Sequence, residues 1–448
     1  MKKIFKILGF VILLFLVYFG VTTYPKLDLI SGFSAKSVAS GHFIDNRSLE
    51  IIEKGDNDID LIDLAKNKIN EISKSASASV YGLKTRKAIY REGLGATLIN
   101  DGFDESKPYE VPKRTKLNNN LPFPYGNNEA EKVVFENIDY KKLELAVENA
   151  FDKKGQKNKR TRALLVIYKD KIIAEKYDTG FTKNSKILGW SMTKSITATY
   201  FGILQKQGKL DINKPAPIAE WQNDERKNIT TNDLLHMNSG LEWEEDYAKI
   251  SDATKMLFHE EDMTRSQILK PAKFKPNTHW NYSSGTTNLL SGILRKQFKT
   301  HQEYLDFWYS ALIDKIGMNS MVVETDMAGN YIGSSYGWAT ARDWSKFGLL
   351  YLHKGNWNGE QIFDESWAKY VATPTNDSNG IYGAQFWLNS NKKYPDAPKD
   401  LYSANGFQGQ NVFIIPSQDI VIVRMGLKEN GIFDFNELLK GILASVKK

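Results

Sequence analysis

The chain has 448 residues, of which 41% are hydrophobic, and this is enough for one large core and a smaller appended domain. Its 60 basic and 53 acidic residues give a net charge of +7, but no dense basic stripe interleaved with aromatic residues occurs, so nucleic-acid binding is not predicted. The absence of cysteine excludes disulfides and thiolate chemistry, and the six scattered histidines lack metal-ligand spacing. We therefore expect neither a metal nor another cofactor, and the oligomeric state stays open.

Residues 1–24 have the pattern of a membrane anchor or signal sequence. Lys2, Lys3 and Lys6 precede an apolar run from Ile7 to Val21 that, extended to Tyr24, is nearly long enough to span a bilayer. No Ala-x-Ala cleavage site follows closely, and without cysteine a lipoprotein linkage is excluded. An uncleaved single-pass anchor in the cell membrane is favoured over a cleaved signal, and both predict that the rest of the chain is exported to the periplasmic side.

Residues 25–128 form a region of separate character that contains no catalytic motif. The pattern predicts a helix near Leu61 to Ile72, followed by a run of small residues from Ser73 to Ser79. Four prolines and a run of asparagines between Lys107 and Asn128 are typical of a linker, or of a loop that wraps the next domain.

Residues 129–448 have the pattern of one compact mixed domain. Two apolar strands, 163–168 and 172–177, predict a hairpin, and a long helix-rich middle follows. Near the other end, segments 382–388, 410–415 and 420–425 predict three more strands before a C-terminal amphipathic helix. We expect an α+β fold in which strands from both ends of the domain form one antiparallel sheet, flanked by helices, with the helical middle as a subdomain.

The motif Ser191-Met-Thr-Lys194 begins a predicted buried helix that extends to Gln207 and stops at Gly208. Residues three apart share a helix face, so a desolvated Lys194 amine is expected to take the Ser191 hydroxyl proton. The helix start is also expected to point unpaired N–H groups at the reacting carbonyl. Ser-x-x-Lys alone is a weak signal, and Tyr282-Ser-Ser284 downstream makes it specific because the two motifs together supply a serine acyl-transfer site.

The serine and tyrosine motifs resemble those of the serine β-lactamase and penicillin-binding-protein superfamily, and most of all those of its class C-related branch of esterases, D-aminopeptidases and 6-aminohexanoate-dimer hydrolases. The resemblance covers about residues 129–448. Besides the serine and tyrosine motifs it rests on several blocks in the same order, which are 233–240, 274–285, 336–343, 354–359 and 406–410.

The resemblance implies a role for each matched residue. Ser191 is implied as the nucleophile, Lys194 and Tyr282 as the base, and Ser284 as a group that passes the proton to the leaving group. The backbone N–H groups of Ser191 and Phe407 are implied as the oxyanion hole. Asn405 and Gly406 are implied in substrate binding, and a matching loop in nylon-oligomer hydrolases suggests the same for Asp246 and Tyr247, although a solvated loop is the commoner interpretation.

One departure bears on the substrate. Relatives that recognise penicillin carry Lys-Thr-Gly or His-Thr-Gly where this chain has Ala404-Asn-Gly406, so no cation is present at that position. The sequence therefore predicts an exported serine hydrolase that cleaves a small-molecule amide or ester. The alternatives are a peptidoglycan-directed D-amino-acid peptidase or weak β-lactamase, and a non-catalytic binding or sensor protein on the same fold.

Overall fold

A computed structural model describes residues 2–428 and 433–447. The helices are α1 (Lys2–Thr22), α2 (Tyr24–Asp45), α3 (Leu49–Glu53), α4 (Tyr140–Asn149), α5 (Met192–Lys206), α6 (Thr231–Leu235), α7 (Asp252–His259), α8 (Ser284–Arg295), α9 (His301–Trp308), α10 (Ala341–Leu352), α11 (Glu365–Val371) and α12 (Phe435–Leu443). The strands are β1 (Ala65–Asn70), β2 (Ser75–Val80), β3 (Leu83–Arg91), β4 (Gly95–Ile99), β5 (Thr161–Tyr168), β6 (Lys171–Tyr177), β7 (Ile187–Leu188), β8 (Val322–Val323), β9 (Gly337–Ala339), β10 (Asn356–Trp357), β11 (Glu360–Gln361), β12 (Trp387–Leu388), β13 (Tyr402–Gly406), β14 (Gln410–Ile415) and β15 (Ile420–Gly426).

The chain divides into two compact units. The first contains residues 1–107 together with the short segments 244–261 and 326–328, and the second contains the remainder. The predicted domain boundaries after residues 24 and 128 stay predictions.

The first unit is a four-stranded antiparallel sheet in the order β1-β2-β3-β4, packed against α2. The small side chains of β2 let this helix approach the sheet closely, and α2 buries Leu27, Ile30, Ala35 and Val38 there. The helix predicted over 61–72 is wrong. Residues 62–64 form one 3₁₀ turn, and residues 65–70 form the edge strand β1. They form a strand because each of the six residues pairs with a residue of β2.

The second unit is built on a six-stranded antiparallel sheet in the order β12-β13-β14-β15-β5-β6. The adjacent strands β15 and β5 come from opposite ends of the unit, as predicted, and every residue of both is buried. The helices α4 and α12 pack against one sheet face, while α10 packs against β14 and β15, so the sheet is covered on both sides. The hairpin and the C-terminal helix are confirmed, whereas the strand predicted over 382–388 is reduced to β12.

The proline-rich segment near 107–128 forms a wrapping loop. Within the second unit, the Arg114 guanidinium lies 2.6 Å from the Asp314 carboxylate, and the amide of Thr115 donates to the same carboxylate. The backbone amide of Lys113 is bound by Asp306 in the same way. These bonds fix a segment that has no helix or strand of its own, which is how an irregular loop satisfies its polar backbone.

Candidate active site

A strained turn presents Ser191. The short strand β7 pairs with β9, and the chain then turns through Gly189 and Trp190 into α5, of which Ser191 is the N-cap residue. Trp190 has φ of 48°, a left-handed conformation that is costly for a bulky side chain. A Cβ on Gly189 would overlap the Trp344 ring, so only glycine fits in front of this turn. Packing around the turn offsets this backbone strain, and the turn holds Ser191 at the start of a buried helix.

Lys194 connects the two sequence motifs. Its side chain is 1% exposed, and its Nζ donates hydrogen bonds to Ser191 Oγ at 3.0 Å and to Ser284 Oγ at 2.9 Å. The same Nζ donates to the Ser334 carbonyl oxygen at 2.9 Å. The predicted spacing of three residues on one helix face therefore brings the amine to the hydroxyl, as the sequence indicated. In its neutral form the amine has two N–H groups and a lone pair, so it can accept the Ser191 proton in place of donating to that hydroxyl, and can then pass a proton towards Ser284.

The Tyr282-Ser-Ser284 segment is fixed at the start of α8. Ser283 is the N-cap of this helix, since its Oγ accepts from the Thr286 amide at 2.9 Å and donates to Gln267 Oε1 at 2.8 Å. Ser284 is fully buried as the first helical residue. The Lys194 Nζ lies 5.1 Å from the centre of the Tyr282 ring, so all four predicted catalytic residues meet at one place.

Aromatic side chains form a wall beside Tyr282. Its ring centre lies 5.3 Å from that of Trp387 and 5.7 Å from that of Tyr382, and Trp280 contacts both of these rings. Lys393 Nζ lies 5.5 Å from the centre of the Trp387 ring, and burial lowers the pKa of this amine. Trp280 and Trp387 belong to this wall, whereas Trp338 is a core residue.

The first turn of α5 differs from expectation. The amides of Met192, Thr193 and Lys194 donate to the carbonyls of Gly189, Trp190 and Ser191, respectively, at 3.0–3.1 Å. The prediction that the helix start offers these N–H groups to a substrate is therefore wrong, because a tight turn satisfies them internally. The N–H of Ser191 itself stays the candidate oxyanion donor on this element.

The end of β13 lies against the turn that carries Ser191. A Cβ on Gly406 would overlap the carbonyl oxygen of Gly189, so the two backbones are in direct contact. Phe407 follows, and its ring packs edge-on against Trp190 with 5.5 Å between ring centres. Phe407 therefore follows directly after the contact between β13 and the Ser191 turn, and its implied role as an oxyanion donor stays a prediction.

Two buried side chains hold the loop after Phe407. Gln410 Nε2 donates to the Phe407 carbonyl at 3.2 Å, while its Oε1 accepts from the Gly426 amide at 3.0 Å. The fully buried Arg424 guanidinium donates to the carbonyls of Gln408, Gly409, Lys428 and Lys159, and burial lowers the pKa of Arg424 to about 9. Sequence reasoning missed both residues, and only the break in the apolar run of β15 at Arg424 could have suggested one of them.

Ala404 and Asn405 stand where relatives that recognise penicillin have a cation followed by threonine. Ala404 is a buried strand residue opposite Val412. Asn405 Oδ1 is buried and accepts no hydrogen bond among the residues that the structure describes. This oxygen is shielded from solvent, and the predicted contact of Asn405 with substrate stays a prediction. Arg342 is a cation within the block 336–343, but its guanidinium is bound through two hydrogen bonds of 2.7 Å to the Glu175 carboxylate.

Asp246 and Tyr247 group with the first unit, within the segment 244–261. Tyr247 is exposed and its hydroxyl donates to Glu245 at 2.6 Å, while Asp246 accepts from the Ala248 amide and lies 3.6 Å from the Lys249 amine. Their predicted contact with substrate stays a prediction. Within residues 2–428 and 433–447, no three His, Cys, Asp or Glu side chains are arranged to hold a metal ion.

Comparisons with known proteins identify the family of this chain. The sequence model of the beta-lactamase family matches residues 147–446. The chain is 23% identical over 292 residues to a 6-aminohexanoate-dimer hydrolase of Paenarthrobacter ureafaciens, covering 59% of this chain and 72% of that protein.

Solved structures share the fold. A Bacillus anthracis protein assigned as a 6-aminohexanoate-dimer hydrolase superposes with a TM-score of 0.57 at 19% identity, over 77% of this chain and 93% of its own. A family VIII carboxylesterase superposes with a TM-score of 0.54 at 15% identity, over 71% of this chain and 100% of its own. The fold is the α+β arrangement of β-lactamases and transpeptidases, as predicted.

Proposed function

We propose that this chain, which belongs to the beta-lactamase family and is a serine hydrolase, cleaves an amide or ester bond through an acyl-enzyme on Ser191. Lys194 and Tyr282 act as the base. The observation that carries this proposal is the position of the buried Lys194 amine, which bonds both Ser191 Oγ and Ser284 Oγ. A hydroxyl nucleophile needs such an adjacent base, and this site provides one without histidine.

In the acylation step, Ser191 Oγ attacks the substrate carbonyl carbon while its proton passes to the base formed by the Lys194 amine and the Tyr282 phenol, which share that proton. The carbonyl oxygen becomes an oxyanion that accepts from the Ser191 and Phe407 N–H groups. The bond to the leaving group then breaks, and the same proton moves through Lys194 and Ser284 to the departing nitrogen or oxygen. Water repeats these steps and releases the acid from Ser191.

The surroundings of the nucleophile support a proposal for the substrate class. Tyr282, Trp387 and Trp280 are partly exposed and offer aromatic surface to an apolar chain. The buried Ala404 provides no charge-assisted bond to a carboxylate beside the scissile bond. We therefore propose short linear amides and esters as substrates, in preference to penicillins or acyl-D-Ala-D-Ala, the substrates of the alternative peptidase or β-lactamase function.

The test is covalent labelling by a fluorophosphonate probe. Ser191→Ala should abolish labelling while Ser195→Ala, a change of a buried serine on the same helix whose Oγ donates to the Gln385 carbonyl, should leave it. Labelling of Ser191→Ala at the wild-type rate would show that another residue is the nucleophile. A panel of p-nitrophenyl esters, short amides and nitrocefin, compared by kcat/KM, then separates the substrate classes, and efficient nitrocefin turnover would contradict the preference proposed above.

Residues 1–24 are proposed to anchor the enzyme. The segment Lys3–Thr22 is a helix of 20 residues, long and apolar enough to cross a bilayer, and none of its most apolar window is buried in the protein. Such a helix near an N-terminus is also typical of a signal sequence. The three lysines at its start favour export of the rest of the chain. Recovery of the full-length protein in the soluble cytoplasm would contradict this proposal.

A further inference from the structure

One end of the first unit exposes a cluster of large apolar side chains, which we call the end patch. Its members are Tyr24, Leu61, Leu64, Tyr81 and Leu83. Tyr81 is 71% exposed and Leu61 53% exposed. Clustered apolar exposure of this kind marks an interaction surface, whereas scattered single residues do not.

Strand pairing places these residues together. Ala65 of β1 pairs with Val80 of β2, and Val80 pairs with Leu83 of β3. Leu64 directly precedes Ala65, and Tyr81 directly follows Val80, so Leu64, Tyr81 and Leu83 lie at the same end of the sheet. Leu61 begins the 3₁₀ turn that leads into β1 at this end.

The turn between β2 and β3 holds Tyr81 outward in a strained backbone conformation. Tyr81 and Gly82 have φ of 53° and 75°, so both central residues of this two-residue hairpin turn are left-handed. Asparagine or aspartate usually stands at the first position because an aromatic side chain is strained there. A strained and exposed tyrosine contributes nothing to the core, so the stability of the first unit does not explain it.

Tyr24 connects the end patch with the apolar helix. The Lys84 amine lies 4.7 Å from the centre of the Tyr24 ring, which joins the turn after β2 to the start of α2. Tyr24 comes two residues after Thr22, where α1 ends. The end patch therefore lies at the point where the candidate membrane span leaves the bilayer.

We propose that the end patch rests in the interfacial layer of the membrane, with its lysines at anionic lipid headgroups. Tyrosine is enriched in this layer because its ring is apolar and its hydroxyl is polar, and lysine extends its amine to the headgroups. The exposed Lys26 and the partly exposed Lys84 supply the positive charge beside the end patch. The inference rests on the proposed anchor role of α1. Its consequence is that this end of the first unit is held against the bilayer, so that the unit does not swing on a single helix.

The absence of cysteine from the chain makes a direct test possible. Full-length Tyr81→Cys and Leu83→Cys carry an environment-sensitive fluorophore and are reconstituted in vesicles of phosphatidylethanolamine and phosphatidylglycerol. The matched control is Ile72→Cys, because Ile72 is 99% exposed in the turn between β1 and β2, at the opposite end of the sheet. Fluorophosphonate labelling of every variant verifies that the second unit is folded, and thermal unfolding compared with the wild type verifies the first unit.

We expect blue-shifted emission and quenching by doxyl-labelled lipid at positions 81 and 83, and neither at position 72. Flotation with vesicles but water-like emission at all three positions would overturn the end-patch proposal and leave the anchor intact. Failure of the full-length protein to float with vesicles would overturn the anchor and this inference together, while fluorophosphonate labelling of Ser191 would be unaffected.

Discussion

Replacing Gly406 by alanine tests the arrangement that brings Phe407 to the nucleophile. Gly406 has φ of −132°, a conformation that alanine adopts without strain, so the added methyl acts only through space. That methyl would lie closer than 3.0 Å to the Gly189 carbonyl oxygen, where ordinary contact needs 3.4–4 Å. The strand end and the nucleophile turn must therefore separate by on the order of 1 Å, a displacement that can cost about 100-fold in rate when it affects reacting groups.

Loss of one oxyanion donor lowers kcat by about 10²–10³, and we expect Gly406→Ala to fall in this range with a smaller change in KM. The control is Gly180→Ala, at a residue with φ of 86° where the added methyl would have no atom within 4 Å, which should cost about 1–2 kcal/mol of stability through backbone strain and leave kcat unchanged. Steady-state kinetics and thermal unfolding are measured for both variants. A Gly406→Ala enzyme with the kcat of Gly180→Ala would refute the proposed contact between β13 and the oxyanion hole.

Two further predictions concern the base and the pH range. Lys194→Ala and Tyr282→Phe should each lower kcat by about 10²–10⁴, and the double variant should be little worse than the poorer single one, because both groups serve one proton transfer; losses that multiply would contradict a coupled pair. Burial lowers the pKa of His236 from 6.5 to about 4. Between these two pH values the unfolded chain binds a proton that the folded protein does not, so the free energy of unfolding should fall as the pH is lowered from 6.5 to about 4. The variant His236→Gln can keep a hydrogen bond to Thr375 and should remove up to about 3 kcal/mol of that loss of stability. Urea denaturation of the wild type and the variant at pH 7 and pH 4.5 measures the difference. Equal pH sensitivity of the wild type and the variant would show that His236 is not the cause.

Local patterns predicted the parts of the fold that local chemistry determines. The hairpin of β5 and β6 has its turn at Lys169 and Asp170, both left-handed, and β5 before it is a continuous apolar run from Ala163 to Tyr168. The helix from Met192 was predicted because its apolar residues extend over several turns and stop before Gly208, which has φ of 67°. In both cases the sequence carries the start, the period and the stop of the element.

Tertiary context determined what the sequence did not predict. Residues 65–70 have no strong strand signal, and they become β1 because the small residues of β2 pair with them while packing on α2. In the active site, the Ser334 carbonyl that accepts from Lys194 is a backbone group on a loop, so no side-chain motif indicates it. The meeting of the Ser191, Lys194 and Ser284 side chains was predictable because their motifs depend on residue type, whereas the backbone acceptors and donors depend on how distant segments meet.

Arg424 shows how the fold fixes such a backbone donor. A guanidinium group removed from water is costly unless its N–H groups find acceptors, and here backbone carbonyls supply them, including those of Gln408 and Gly409. Gln410 binds the Phe407 carbonyl, and Gly406 is held by its pairing with β14. The peptide groups on both sides of Phe407 are therefore fixed, and with them the direction of its N–H. Preorganised donors stabilise a developing oxyanion because they need no reorientation during the reaction, so the buried arginine, although it touches no substrate, belongs to the positioning of the proposed site.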